Sequence, residues 1–420
     1  MAQVVLYIEN GAFGGGSAES LAQLLQGLDR QLISPQVLFT SPIAAIDRIA
    51  ATGVPTHRFT HWYASRPESR GGMLVAKLAS ALVNYGARAF PRLALRIERM
   101  FTRALRARLT RFIKTSGAAL VHVNNNPHRD LWAIEAAAAA GVPCVAHLRS
   151  FHGFGFSRQR AAAVNSSVAA FIAYSRSIAD YWVAAGLSPD RMHVVPNAIG
   201  EVSAASVDLR ATFGCVEAGP VVGLIGRVIP ERGHARLIRA LPALLKEFPG
   251  LILLLVGGGA EADIGSVNAL ADDLGVSANV IHAGHRSDAL AIMAALDAIV
   301  LPYTIEPFGR TLLEAWQLGI PVVLSRVGHI ADVVTDGHDA LLFEPDVSDD
   351  LSAKLTRVLR DPALRAQLTA NGRQTCIERF SIAGHCRRIE AVYREVLDQI
   401  PPGDRLRDRQ SDTKSTVGTG

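Results

Sequence analysis

The 420 residues contain four cysteines, Cys144, Cys215, Cys376 and Cys386, which lie far apart without a CxxC spacing. That argues against a disulfide framework or a cysteine zinc site and fits reduced thiols in a cytosolic protein. No apolar run reaches the roughly 18 residues a membrane span needs. The opening Met-Ala-Gln-Val-Val-Leu-Tyr-Ile has neither a basic n-region nor a long apolar h-region, so it reads as a first strand rather than a signal peptide. No Asp-x-Asp occurs anywhere, which leaves a carboxylate pair for Mn²⁺ or Mg²⁺ unsupported. Aromatics make up 6% of the chain and form no base-stacking motif, so nucleic acid is not the expected partner of its net charge of +5.

Hydrophobic content is 49% against 19% charged residues, enough to bury sizeable cores. The length suggests two domains of roughly 200 residues each. Strand and helix signals alternate. Apolar runs at 4–8, 36–39, 120–123 and 142–146 are interleaved with helical patterns at 17–28 and 133–140. The pattern restarts near residue 200, with strands expected at 220–225, 251–256, 280–283, 298–301, 321–324 and 340–343, and a helix at 235–247. This is an α/β chain with parallel sheets covered by helices, in two Rossmann-like halves. The expected division is 1–198, 199–380, a last helix within 381–400, and a polar, disordered tail at 401–420.

Four constellations carry possible chemistry. Glu306-Pro-Phe-Gly-Arg-Thr-Leu-Leu-Glu314 follows a strand and opens a helix. The turn Phe308, Gly309, Arg310 and Thr311 presents unpaired N–H groups suited to a diphosphate, and Glu314 can accept two ribose hydroxyl bonds. Gly226-Arg227-Val-Ile-Pro-Glu-Arg232-Gly233 places two guanidiniums where both can grip one pyrophosphate and neutralise the charge of a departing nucleoside diphosphate. The loop Gly11-Ala-Phe-Gly14-Gly15-Gly16-Ser17 allows close backbone approach to a ligand but is not a dinucleotide fingerprint. In His147-Leu-Arg149 the two side chains alternate onto one face at a strand end, and either can meet a substrate hydroxyl. A fifth stretch is electrostatic. From Arg88 to Lys114 nine basic residues face one acid, Glu98, and Arg88, Arg92, Arg96, Arg99, Arg103 and Arg106 recur as a helical stripe that can lie on anionic lipid.

These motifs resemble the retaining family 4 (group 1) glycosyltransferases of GT-B fold. The resemblance spans roughly 4–398 and rests on the E-x7-E segment, the Gly-Arg…Pro-Glu-basic-Gly turn and the run Tyr174-Ser175…Val194-Val195-Pro196-Asn197. It implies two Rossmann-like domains facing across a cleft, with the last helix crossing back to the first domain. A UDP- or GDP-sugar donor and a hydroxyl acceptor are expected; no metal or other cofactor is expected, because Arg227 and Arg232 can supply the positive charge, and the basic stretch points to a glycolipid or polysaccharide acceptor. The resemblance also implies Arg227 and Arg232 on the diphosphate, Glu314 on the ribose, Glu306 at the transferred sugar, and the loop of Arg286 near the base. The chain departs from the family at Arg232, where lysine is usual, at Asn197-Ala-Ile-Gly200 and at Gly328-His-Ile-Ala-Asp332. The active-site histidine of the family aligns nearer Arg149 than His147. A phosphorylase or nucleotide-sugar epimerase on the same plan, or a catalytically silent nucleotide-sugar-binding subunit, are the alternatives.

Overall fold

The computed structural model describes residues 2–10, 16–40, 46–59, 90–151, 156–214, 219–305, 309–347 and 349–399. By its contacts the chain divides into two compact units: one runs to Pro196 and resumes at Ala383, and the other is Asn197–Ile382.

The first unit opens with β1 (Gln3–Glu9), α1 (Gly16–Gly27), β2 (Ile33–Phe39), α2 (Ile46–Ala50) and β3 (Thr56–Arg58). Then come α3 (Pro91–Phe101), α4 (Arg103–Thr115), β4 (Leu120–Val123), α5 (Pro127–Ala140) and β5 (Cys144–Leu148). It continues with α6 (Arg158–Asn165), β6 (Ala170–Ala173), α7 (Arg176–Ala184) and β7 (Met192–Val194). The strands form one parallel sheet in the order β3-β2-β1-β4-β5-β6-β7. Strands β4, β5 and β6 are buried at every position, as expected for a parallel sheet covered on both faces. The strands β3, β6 and β7 were not anticipated from the sequence; they are only three or four residues long.

The second unit has α8 (Leu209–Phe213), β8 (Val221–Ile225), α9 (His234–Glu247), β9 (Ile252–Val256), α10 (Glu261–Asp273) and β10 (Val280–Gly284). It goes on through α11 (Ala289–Met293), β11 (Ala298–Leu301), α12 (Arg310–Leu318), β12 (Val322–Ser325) and β13 (Leu341–Phe343). Its last helices are α13 (Asp350–Arg360) and α14 (Pro362–Arg379). The parallel order is β10-β9-β8-β11-β12-β13. Val222, Leu224, Leu253 and Leu255 pack with Leu237, Leu241 and Phe343 to make its core. Each sheet reverses strand order once, between β1 and β4 and between β8 and β11, and in such sheets ligands bind at the carboxyl ends beside that reversal.

Helix α15 (Ile382–Asp398) packs, from Ala383 on, into the first unit through buried polar contacts. The Tyr393 hydroxyl bonds that of Tyr7 at 2.9 Å and also meets His122 Nδ1. Glu390 accepts from the Asp29 N–H at 2.9 Å, and His385 Nδ1 lies 2.8 Å from the Pro196 carbonyl. Burial pushes His122 down to about 3 and His385 to about 4, and holds His147 well below its usual value. Burial raises two carboxyls of the same unit, Asp130 to about 8 and also Glu98.

The pH dependence follows from these shifts. Below pH 6.5 the unfolded histidines bind protons that the folded ones refuse, so stability is lost as pH falls. Above about pH 4 the two raised carboxyls act in the opposite sense, because the folded state keeps protons the unfolded state releases. Three histidines against these two carboxyls, with His234 and His282 against Asp339 in the second unit, leave a net uptake of protons on unfolding. Stability should therefore fall as pH is lowered from 6.5 toward 4.5. Denaturant melts at pH 5, 6 and 7 check this; a stability that is flat or rises with acid would contradict it.

The basic stretch is not one stripe. The helix breaks at Thr102, and Arg99 and Arg106 both turn to Glu135 of α5, at 2.7 and 2.8 Å. Glu98 is buried against Arg160. Arg92, Arg96 and Arg103 remain exposed. Beside them stand Phe90, Leu93 and Met100, with exposures of 68%, 53% and 64%. Arg88 lies outside the described residues. No helix among the described residues is long and apolar enough to cross a membrane.

Candidate functional site

In the second unit, the loops leaving β8, β9 and β11 are tied together at the carboxyl edge of the sheet. The Gly226 N–H donates to the Val256 carbonyl at 2.8 Å, the Val228 N–H to Gly258 at 3.0 Å, and the Gly257 N–H to Gly284 at 2.8 Å. The approach is so close that a Cβ on Gly257 would sit 1.9 Å from the Gly226 oxygen. After β8 the chain makes a 3-10 turn at Pro230–Arg232 and enters α9 through Gly233, whose φ is +72°. Arg236 of α9 donates to the carbonyls of Pro302 and Tyr303, at 3.3 and 2.9 Å, and the Thr304 N–H returns to the Glu231 carbonyl at 3.1 Å. The post-β8 and post-β11 segments therefore form one block across the strand reversal.

Arg232 is held on this block. Its Nη1 donates to the Tyr303 hydroxyl at 2.7 Å, its guanidinium lies 5.1 Å from that ring's centre, and it passes over Gly226, where a Cβ would meet it at 3.4 Å. Tyr303 is buried, which raises its phenol pKa, and its hydroxyl also pairs with Thr311. Sequence reasoning missed Tyr303. The available signal was its position two residues beyond the end of β11, at the reversal. Arg227 is exposed, and no hydrogen bond or ion pair among the described residues engages it. His234, the first residue of α9, is buried, and burial, followed by Arg232 and His282, lowers its pKa to about 4. It is a neutral ring beneath the arginine loop.

Helix α12 begins at Arg310 with Gly309 at its N-cap, a residue with no side chain to take up the first-turn N–H groups. Glu314 meets Arg310 one turn away at 3.3 Å, and both are largely buried, at 17% and 18% exposure. Glu306 and Phe308 lie outside the described residues, as does Gly15; Gly16 is the first residue of α1. Arg286 pairs with Asp288 at 2.7 Å on the surface after β10 and lies 5.6 Å from the centre of the Phe213 ring. Among the described residues, no group of three or more His, Cys, Asp or Glu side chains is placed to hold a metal ion.

At the reversal of the first unit stand Glu9 and Asn10 of the β1 end, Asn124 to Asn126 after β4, and Arg149 and Ser150 after β5. The structure separates the two candidates His147 and Arg149. The His147 ring is fully buried beside His122, 5.5 Å between centres, and neither ring nitrogen has a hydrogen-bond partner among the described residues. It lies in the strand layer, whereas Arg149, two residues on, stands past the end of the strand. Its Nη2 donates to Asn124 Oδ1 at 2.7 Å and its backbone N–H to Asn126 Oδ1 at 2.7 Å. Burial lowers its pKa to about 10, opposed chiefly by Glu9.

Comparison with known proteins places these features. Over 190 residues the chain is 33% identical to the lipopolysaccharide core biosynthesis glycosyltransferase LpsE of Rhizobium meliloti, covering 45% of this chain and 54% of that protein. Over 163 residues it is 38% identical to LpsD of the same organism, covering 38% and 45%. The chain thus spans about half the length of the curated relatives it matches. Among solved structures, Anabaena HepE in complex with UDP and glucose superposes with a TM-score of 0.71 at 21% identity, over 95% of this chain and all of that one, a likeness of fold. Residues 15–198 match a glycosyl transferase 4-like domain, and residues 208–375 match the glycosyl transferases group 1. With both of its units so matched, the chain belongs to the group 1, family 4 glycosyltransferases of GT-B fold.

Proposed function

We propose that the protein is a retaining, metal-independent glycosyltransferase that moves a sugar from a UDP- or GDP-sugar to a hydroxyl of a lipid-linked saccharide precursor. The observation that carries this reading is Arg232, pinned by Tyr303 at the strand reversal of the second unit beside the uncapped start of α12. In this reading the donor-binding domain is 199–380, and the first domain, 1–198 with the helix of 381–400, takes the acceptor. Arg227 and Arg232 hold the diphosphate together with the backbone of Phe308 to Thr311, Glu314 binds the ribose, Arg286 lies near the base and Gly15 and Gly16 approach the donor. Glu306 meets the transferred sugar and Arg149 the acceptor. The acceptor hydroxyl attacks the anomeric carbon on the face from which the diphosphate departs. The sugar–phosphate bond breaks, and the hydroxyl proton passes to the leaving diphosphate, whose charge the arginines stabilise.

UDP-glucose is bound by the HepE neighbour, and two relatives act in lipopolysaccharide core synthesis, which favours a UDP-sugar and an envelope acceptor. A thermal-shift screen of UDP, GDP and their sugars, followed by transfer assays with and without EDTA, tests the reading. Stabilisation by one nucleoside diphosphate and EDTA-resistant transfer are expected. No response to any nucleotide would overturn the reading, loss of transfer with EDTA would overturn metal independence, and sugar release that requires inorganic phosphate would favour the phosphorylase.

The exposed Phe90, Leu93 and Met100 beside Arg92, Arg96 and Arg103 support peripheral docking on the cytoplasmic face of an anionic membrane. Each arginine near such a surface contributes about 1 kcal/mol, so replacing all three by Gln should weaken binding to anionic vesicles on the order of 10²-fold. Sedimentation that is indifferent to lipid charge, or to this triple change, would reject the docking surface.

A further inference from the structure

The β1 and β4 ends meet at the reversal of the first unit, where the Asn124 N–H donates to the Ile8 carbonyl at 3.0 Å. Glu9, the last residue of β1, has no exposed surface. Its two carboxylate oxygens accept from the side-chain amides of Asn124 and, at 3.0 Å, Asn125. Asn124 faces the other way as well. Its amide oxygen accepts from Arg149 Nη2 at 2.7 Å, and its backbone carbonyl accepts from Nε at 3.3 Å. Asn126 takes the Arg149 backbone N–H at 2.7 Å and donates to the Ser150 hydroxyl. The three consecutive asparagines are thus a bracket between a buried carboxylate and a half-buried guanidinium.

The chemistry of this bracket fixes its direction. A carboxylate only accepts and a guanidinium only donates, so the Asn124 amide has one orientation that satisfies both. Turned over, it would face oxygen to oxygen on one side and N–H to N–H on the other. A second carboxyl stands nearby at Asp130, bonded to Asn10, and burial together with the Glu9 charge pushes it up to about 8. Burial thus favours the neutral form of Asp130, and among the described residues Glu9 is the carboxylate joined to Arg149 through Asn124.

We propose that Glu9 is a positioning residue for the acceptor-side chemistry: through Asn124 it holds the Arg149 guanidinium in the one orientation that serves the acceptor hydroxyl. The role of Arg149 rests on the functional reading above, whereas the Glu9–Asn124–Arg149 bracket does not.

The experiment exchanges the charge across the bracket. Glu9→Gln removes it. Asn124→Asp sets two carboxylates against each other. The double variant returns one carboxylate, now directly against Arg149, with a glutamine amide behind it. Turnover with acceptor should fall at least tenfold in each single variant and return to within about threefold in the double, as expected when a hydrogen bond to a charged group is lost and restored. KM for the donor should stay within twofold throughout, which a general loosening of the fold would not give. In parallel, the Arg149 side-chain Nε–H is followed by NMR of arginine-labelled, ligand-free full-length protein. Its slow exchange should be lost in Glu9→Gln and recovered in the double variant. Unchanged turnover and exchange in Glu9→Gln, or a double variant no better than the worse single, would overturn the proposal. An inactive wild-type protein whose Arg149 signal still responds in this pattern would instead reject the transferase reading and leave the bracket standing.

Discussion

Replacing Arg232 by alanine should lower kcat/KM for transfer by about 10²- to 10³-fold, the usual loss when one preorganised group that stabilises developing charge is removed. Preorganisation is the reason for so large a figure at a half-buried side chain. The guanidinium is anchored to the Tyr303 hydroxyl at 2.7 Å, lies beside that ring and rests on Gly226, so it need not be recruited from solvent when the diphosphate departs. Arg227, exposed and unengaged within the described residues, has no such anchorage, and its removal should be milder. Arg232→Lys keeps the charge but loses the planar fork and the Tyr303 bond. An intermediate loss of about tenfold is expected, the equivalent of one hydrogen bond. Tyr303→Phe should cost a few-fold for the same reason. Initial-rate kinetics with calorimetric donor titration separates the effects. The alanine variant should lose both kcat and donor affinity, since the same guanidinium holds the bound diphosphate, while its circular dichroism is unchanged, and an alanine variant within threefold of wild type would remove Arg232 from the chemistry.

The parts of this site that the sequence made legible are those written in local spacing. The apolar runs at 221–225 and 298–301 ended in glycine, arginine or proline turns, and the helix opening at Arg310 and closing at Gly319 was visible from its boundaries. The order of strands was not legible. That β8 neighbours β11, and β1 neighbours β4, depends on pairing between segments some seventy to one hundred residues apart or more, and only that order brings Tyr303 to Arg232 or Asn124 to Glu9. The basic stretch failed for a related reason. Helical periodicity grouped Arg99 and Arg106 with Arg92 and Arg96, but the first two pair with Glu135 on another helix, Arg99 while still 44% exposed. The burial of His147 was not legible, because period-two alternation gives the face of a strand and not the layer above it. There His122 and helix α15, with His385 and Tyr393, close over the sheet.

Gly233→Ala should be the most damaging single-atom addition near the site. Glycine is required there twice over: its φ is +72°, and a Cβ would lie 1.8 Å from the Pro302 carbonyl oxygen and 2.7 Å from its carbon. The left-handed conformation costs an L-residue roughly 1–2 kcal/mol. The clash is with backbone, so no side-chain rotation relieves it, and the turn Pro230–Arg232 must separate from Pro302–Tyr303. That separation breaks the Arg236 and Thr304 bonds that weld the two segments and carries Arg232 off Tyr303. The expected outcome is a loss of about 3–4 kcal/mol in the stability of the second unit, together with donor affinity weakened more than tenfold. Gly319→Ala is the matched control. Its φ is +71°, yet nothing lies within 4 Å of the added carbon, so only the conformational strain of about 1 kcal/mol remains, and donor binding should persist. The difference between the two variants in denaturant melts and in donor titration isolates the contact between the β8 and β11 loops. If both lost stability equally and Gly233→Ala kept its donor affinity, the close approach of those loops would not be what holds Arg232 in place.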